Sequence, residues 1–404
     1  MARRILLITQ WFDPEPTLKG LVFARELVKQ GFEVEVLTGF PNYPGGYIYP
    51  GYRIKILQRE VIDGVHITRV PLYPSHDQSA FRRILNYLSF AFSILIYGLF
   101  FAKRADVVYA YHPPLTVGIA AGLIRLFRRI PVVYDIQDMW PDTLKATGMI
   151  RSRMALKVVS IICTWVYARV TRIVVLSPGF KRLLIERGVA EAKIDVIFNW
   201  ADEKSLMEPE GTVPDIFPEN NRFRILFAGN MGVAQALDAV LDAAELLKSY
   251  PDKISFIMLG GGVDVARLKK KCRDMNLDNV LFLPPVRMNQ VGALLSAADA
   301  LLVHLRVDPL FKITIPSKTQ AYMVVGKPVI MAVDGDAANL VREADCGFIA
   351  ESENARSIVN AALKMSRLSN SQLVALGDNA KRYYQKKLSL SAGVERFAKV
   401  FNSL

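Results

Sequence analysis

Cysteine and histidine are scarce in this chain of 404 residues, with three of the first and four of the second. Cys163, Cys272 and Cys346 lie far apart, with no Cys-x-x-Cys spacing and no neighbouring histidine pair. That argues against a disulfide framework and a structural zinc site, and suits a reducing cytosol. Histidines at 66, 76, 112 and 304 alone do not make a His-rich metal centre, so no metal is expected. The chain also lacks Gly-x-Ser-x-Gly, His-Glu-x-x-His and Gly-x-Gly-x-x-Gly, and no glycine loop runs into a P-loop lysine. The opening MARRILLITQWFDP has too short an apolar run before Asp13 and Pro14 for a signal peptide, and reads as a first buried strand. There is no low-complexity tract and no short repeat.

Apolar residue is abundant. Hydrophobic side chains make up 51% of the chain and charged ones 22%, the balance of a globular protein with ample core. The length suggests two domains of about 200 residues each. Net charge is +13 and unevenly spread. Residues 1–200 hold 26 Lys/Arg against 15 Asp/Glu, and that whole excess lies within 80–190, with 16 basic and 5 acidic residues. An excess confined to one segment makes one face attractive to anions.

Short apolar runs alternate with helical periodicity along both halves. Strands are predicted at Arg4–Thr9, Glu33–Thr38, Val65–Val70, Val107–Tyr111, Val132–Ile136, Ile173–Leu176 and Ile194–Phe198. The second half predicts Arg224–Ala228, Ser255–Leu259, Val280–Leu283, Ala300–Val303, Pro328–Ala332 and Phe348–Ala350. Helical spacing over Leu237–Leu247 is typical of the segments between them. The expected fold is α/β, two doubly wound Rossmann-like domains facing across a cleft. The expected boundaries are 1–200, a polar, proline-containing linker at 203–222, a second domain at 223–375, and C-terminal helices at 376–404 packing back toward the first domain. Ligands of such sheets bind outside the carboxyl ends of the strands.

Residues 84–102 carry no charge over 19 positions, flanked by Arg82, Arg83, Lys103 and Arg104. Length permits a membrane span. Basic residues at both ends give no orientation, and a span would split one sheet. A helix lying on the domain with its apolar side in a bilayer interface is expected instead. Arg151, Arg153 and Lys157 lead into a second apolar helix with Trp165 and Tyr167; Arg125, Arg128, Arg129, Arg169 and Arg172 are expected to extend the cationic face. An anionic membrane surface fits these residues; nucleic acid does not, since no recognition motif accompanies them.

Five stretches place polar groups where strand ends should meet ligand. In IPSKTQAYMVVGKPVIM (315–331), Ser317 and Lys318 fall in the first turn of a predicted helix that stops at Gly326. A helix N-terminus with a lysine attracts phosphate, although a solvated surface lysine has the same pattern. Gly229, Asn230, Met231 and Gln235 form a strand–glycine–helix turn that would let backbone approach a phosphate; a ligand-free tight turn has the same glycines. Lys19 and Gly20 stand at the corresponding turn of the first half, and could touch the same anion or merely be a solvated lysine and a turn glycine. Asp138 follows one strand and is a candidate contact to a polar substrate. His112 follows another and reads as a helix-start histidine rather than a proton carrier, and Asp135 as structural.

These segments together resemble glycosyltransferase family 4, of the GT-B fold, and within it the bacterial capsule, colanic-acid and O-antigen transferases of fucosamine-transferase type. GFPNYPGGYIYPGY (39–52), VVYDIQDMWPD (132–142), FAGNMGVAQALD (227–238) and IPSKTQAYMVVGKPVI (315–330) carry the resemblance, which covers nearly the whole chain. It implies a retaining, metal-independent hexosyltransferase with no cofactor. The donor would be a nucleotide-sugar, most simply UDP-linked N-acetylhexosamine or deoxy-amino sugar, and the acceptor a polyprenyl-diphosphate-linked saccharide. The enzyme would work at the cytoplasmic face of the inner membrane as a peripheral or monotopic protein. Lys318 and Asp138 match the catalytic positions; Lys19, Gly20, Gly229, Asn230, Met231, Gln235, Ser317 and Lys318 are the donor-binding set. Arg82, Arg83, Lys103, Arg104, Arg151, Arg153 and Lys157 are the acceptor and membrane set. Two departures stand out. Ile313 and Ala321 occupy places where many members carry glutamates, and the donor loop lacks the lysine that many members carry, with Gln235 nearby instead. Gln137 stands in the place of the histidine that many relatives pair with the aspartate. A UDP-sugar epimerase on the same fold and a non-catalytic membrane-surface protein are the rival expectations.

Overall fold

Two strands without an exposed residue, β5 (Val107–Tyr111) and β6 (Val132–Ile136), lie inside the first sheet. Continuous apolar runs of this kind arise where helices cover both faces of a parallel sheet. The computed structural model describes residues 2–75, 80–208, 222–251 and 253–404. Its remaining first-sheet strands are β1 (Arg4–Ile8), β2 (Glu33–Gly39), β3 (Gln58–Ile62), β4 (Val65–Val70), β7 (Arg172–Val175) and β8 (Ile194–Val196), in the order β3-β4-β2-β1-β5-β6-β7-β8. All neighbours pair in parallel except β3 with β4. A second sheet is wholly parallel, in the order β11-β10-β9-β12-β13-β14. Its strands are β9 (Phe223–Ala228), β10 (Ile254–Leu259), β11 (Val280–Leu283), β12 (Ala300–His304), β13 (Val329–Ala332) and β14 (Gly347–Ile349).

Every predicted strand is present within two residues of its expected bounds, and one, β3, was not expected. It alternates half-buried and exposed residues at the sheet edge, so no apolar run announces it. Its signal was the Asp63-Gly64 pair, whose positive φ values of 51° and 80° suit a tight hairpin turn.

The chain divides into one unit of residues up to Phe198 with Gly393–Leu404, and another of Asn199–Ala392. Helix Glu203–Met207, expected as linker, belongs to the second unit, while 209–221 lie outside the described residues. Of the C-terminal stretch 376–404, only the part from Gly393 joins the first unit. Glu203 Oε1 accepts from the Tyr384 hydroxyl and from the Leu390 amide, both at 2.8 Å, which joins the two chain ends of the second unit.

Helix Leu390–Asn402 completes the core of the first unit. Phe397 packs edge-on against Phe23 and Tyr109, at centroid distances of 5.2 and 5.6 Å, and Phe401 meets Tyr109 at 5.9 Å. Beneath these rings Asp135 of β6 and Lys19 are both fully buried and form an ion pair. The Tyr109 hydroxyl donates to Asp135 Oδ2 at 2.6 Å, and Gln137 Nε2 donates to Oδ1 at 2.7 Å. Burial lowers the pKa of Lys19, and the Asp135 carboxylate opposes that shift. Removing one member of such a pair leaves a charge uncompensated, at a cost of about 3–5 kcal/mol. Asp135→Asn is therefore expected to lower the urea unfolding midpoint of the first unit sharply. Adding Lys19→Met should restore most of the loss; a single variant as stable as the parent would show the pair to be dispensable.

Candidate functional site

In the second unit, the loops after β9 and β10 run side by side. The Gly229 amide donates to Leu259 O at 2.9 Å, the Met231 amide to Gly261 O at 2.7 Å, and the Asp264 amide to Met231 O at 3.0 Å. The approach is so close that a Cβ at Gly260 would collide with the Gly229 carbonyl, and one at Gly262 with the Met231 carbonyl. Both glycines have φ near +140° (135° and 143°), where other residues are strained. Gly229 and Asn230 remain exposed at the crest of this paired loop.

Helix Ser317–Val325 starts beside that crest. Its N-cap is Pro316, and no side chain caps it. The Tyr322 hydroxyl, buried, accepts from the Ala228 amide at 2.9 Å and so fixes the first turns of the helix against the end of β9. Ser317 is exposed; the Lys318 stem is half-exposed, but its Nζ is buried with no hydrogen-bond partner. Thr319 Oγ1 is likewise buried and unpartnered. Lys318 Nζ sits 3.6 Å from the centroid of the Phe227 ring, and a Cβ on Gly229 would lie 3.5 Å from it. Desolvation pushes the Lys318 pKa down to about 7. The ring face opposes this with roughly 0.5–2 kcal/mol, less than the cost of an ammonium buried without partners. An uncapped helix end, two orphaned polar atoms and an exposed glycine turn together make an anion cradle.

Gln235 closes the loop from below. Its Oε1 accepts from the Gly232 amide at 3.0 Å and from Asn230 Nδ2 at 3.4 Å. Its carbonyl contacts His304 Nδ1 at 2.6 Å, and His304 Nε2 accepts from the Glu353 amide at 3.2 Å. Those partners assign the proton to Nδ1, and burial keeps the imidazole neutral by lowering its pKa. Sequence reasoning missed His304 as a brace of the glycine loop; its position at the end of the apolar run ALLVH was the available signal.

Three expected donor contacts are corrected here. The Met231 side chain lies in the hydrophobic core, and its amide and carbonyl are both used within the loop pair. Lys19 is fully buried against Asp135 and 4.8 Å from the Phe397 centroid, so it faces core rather than ligand. Gly20 precedes helix Leu21–Lys29, whose first amide is already taken: Leu21 N–H donates to Asp13 Oδ2 at 2.6 Å. A carboxylate in that position repels an anion.

In the first unit, Asp138 is half-buried after β6, with its pKa raised by desolvation. His112, after neighbouring β5, is buried with Nδ1 unpartnered and its pKa pushed down to about 3. It stands edge-on to Trp140 at 5.1 Å and to Tyr134 at 5.9 Å. Gln137 is spent on Asp135 and does not stand in for a free histidine.

The expected apolar face is also resolved. Helix Ala80–Phe100 buries Asn86, Phe90, Ile94 and Tyr97. On its other side Phe81, Leu85, Leu88, Phe92, Ile96 and Phe100 are exposed, Phe92 by 67% and Phe100 by 72%. On helix Arg153–Arg169, Met154, Val158 and Ile161 are exposed as well. Arg82, Lys103, Arg104, Arg151, Arg153 and Lys157 are exposed, and Arg83 is half-buried. Three other arginines expected on that face are engaged within the fold. Arg125 donates to Thr171 and Arg169 O, Arg128 to Gly98 O and Ala102 O, and Arg172 pairs with both oxygens of Asp195.

Known proteins agree with this architecture. Residues 21–200 match the family described as glycosyl transferase 4-like domain, and residues 213–396 match glycosyl transferases group 1. WcaI of Escherichia coli K12, named for glycosyl transfer in colanic acid biosynthesis, is 26% identical over 82% of this chain and 83% of its own. WbjE of Pseudomonas aeruginosa, named as a glycosyltransferase, is 24% identical over 80% and 84%. Among solved structures, Anabaena Alr3699/HepE in complex with UDP-glucose has a TM-score of 0.68 at 14% identity, covering 99% of this chain and 100% of that one. Sucrose-phosphate synthase from Thermosynechococcus elongatus has a TM-score of 0.71 at 14% identity, covering 99% and 98%. The chain belongs to glycosyltransferase family 4 and is a glycosyltransferase of the two-domain GT-B fold.

Proposed function

We propose that this glycosyltransferase moves a UDP-linked N-acetylhexosamine or deoxy-amino sugar onto a polyprenyl-diphosphate-linked saccharide, with retention at the anomeric carbon, in surface-polysaccharide biosynthesis. The observation that carries the donor assignment is the orphaned Lys318 amine beside the exposed Gly229–Asn230 turn at an uncapped helix start. UDP complexes of the fold relative HepE and the colanic-acid name of WcaI support the nucleotide and the product class.

In this reading the bond between the sugar C1 and the diphosphate oxygen breaks while C1 bonds to the acceptor hydroxyl oxygen, and the hydroxyl proton passes to the departing phosphate. Negative charge builds on the diphosphate. Lys318 and the free amides at the start of helix Ser317–Val325 stabilise it, so no metal ion is required. Asn230 and Ser317 complete the donor contacts, with Gln235 shaping the loop. Asp138 is assigned to the hydroxyls of the reacting sugar. The acceptor is a membrane lipid, and the exposed stripe of helix Ala80–Phe100 with its arginine and lysine collar fits an anionic bilayer surface at the cytoplasmic face. The buried side of that helix, anchored through Asn86 Nδ2 to Tyr73 O at 2.7 Å, favours lying on the bilayer over spanning it.

A screen of nucleotide-sugars against membrane lipid extract, scored by nucleoside diphosphate release, tests the proposal. Release is expected to require lipid and to survive EDTA. Isomerisation without acceptor would favour an epimerase, and no turnover of any donor a non-catalytic protein. Lys318→Met is expected to lower turnover by about 10²-fold while its thermal midpoint stays level or rises, because an unpaired buried amine is removed. Flotation with vesicles should depend on acidic phospholipid and weaken with salt. It should also weaken in Phe92→Ser/Phe100→Ser; binding indifferent to all three changes would remove the helix from the membrane assignment.

A further inference from the structure

Lys318 has no carboxylate to hold its charge. Among the described residues it forms no ion pair and no hydrogen bond, and its nitrogen rests on the Phe227 ring. The groups facing it from neighbouring elements do not supply an anion. From β12 comes His304, neutral and bonded at both nitrogens. Beyond it, the Glu353 carboxylate is engaged by the Val307 amide at 2.5 Å. On its own helix, Tyr322 is bonded to Ala228. Of the helices along its flank, Met288–Ala297 carries no charged residue. Glu203 of helix Glu203–Met207 is taken by Tyr384 and Leu390. Lys381 of helix Asn370–Tyr383 lies against Gly326, at the opposite end of helix Ser317–Val325.

We propose that Lys318, buried on the Phe227 ring without a hydrogen-bond partner, is largely uncharged above neutral pH in the donor-free protein and takes up a proton from solvent when a nucleotide-sugar diphosphate enters the cradle. The inference rests on the donor site proposed above. It adds that donor capture is proton-linked, and that the site carries its full positive charge only when loaded. The balance is simple: the amine gains a proton from solvent or buffer, and the diphosphate, esterified at both ends, gains and loses none. Its sign follows from linkage. With the free amine titrating near pH 7 and the bound one held charged by phosphate, affinity is greatest below that point and falls as pH rises. Above it, Kd should rise about tenfold per pH unit until the bound amine itself deprotonates.

Calorimetric titration of the full chain with UDP-glucose and with UDP-N-acetylglucosamine at pH 8, in Tris and in HEPES, measures the protons exchanged. Uptake of about 0.9 proton per bound donor is expected from these titration points, with none in Lys318→Arg, whose guanidinium is always charged. Binding without proton exchange in the parent protein overturns the inference and leaves the donor site standing. Uptake that persists in Lys318→Met overturns it as well, moving the proton to another group such as His304. If neither nucleotide-sugar binds, the UDP-donor assignment and the inference fall together.

Discussion

A carboxylate cannot stay charged inside a parallel sheet without partners, and Asp135 lies in a strand with no exposed residue. The organisation of the first unit follows from that constraint. Lys19 supplies the opposite charge, Tyr109 and Gln137 supply hydrogen bonds, and Phe397 of the C-terminal helix closes the assembly from water. The turn between β1 and its helix is drawn inward by this pairing. Asp13 then occupies the helix start, so the first unit has a glycine turn but no anion cradle there.

The two lysines that the sequence placed at helix starts thus meet opposite fates. Lys19 is buried against the Asp135 carboxylate, and its charge serves the fold. Lys318 is buried with none, on an aromatic ring, beside exposed backbone. Leaving a buried amine unsatisfied costs stability, so packing of the fold alone does not account for it. The braces around it are themselves satisfied: Tyr322 on Ala228, His304 on Gln235 and Glu353. A rigid frame around one incomplete group is the arrangement that preorganised charge stabilisation requires.

Helix Ala80–Phe100 divides its work between two sides. Asn86, Phe90, Ile94 and Tyr97 attach it to the sheet, and Arg128 caps its terminal carbonyls. The opposite side stays apolar and uncovered, in a segment already positive in net charge. Stability of the fold accounts for the first side only; the second is an exposed apolar patch that packing of the unit does not use.

The local pattern of the chain determined the strands, because parallel strands buried on both faces must be written as short apolar runs. It also determined the glycine turn at 229–232 and the helix start at 317–318, since turn and cap chemistry is local. The edge strand β3 escaped for the same reason: it is half solvated and has no such run. What each charge does was decided only in three dimensions. Lys19 finds Asp135 across 116 positions of sequence, and Met231 turns into a core formed by helices far along the chain. Arg125, Arg128 and Arg172 spend their charges on carbonyls and a carboxylate that no spacing reveals. Periodicity records which way a residue faces; its partner is fixed by packing between distant segments, and so is the absence of one at Lys318.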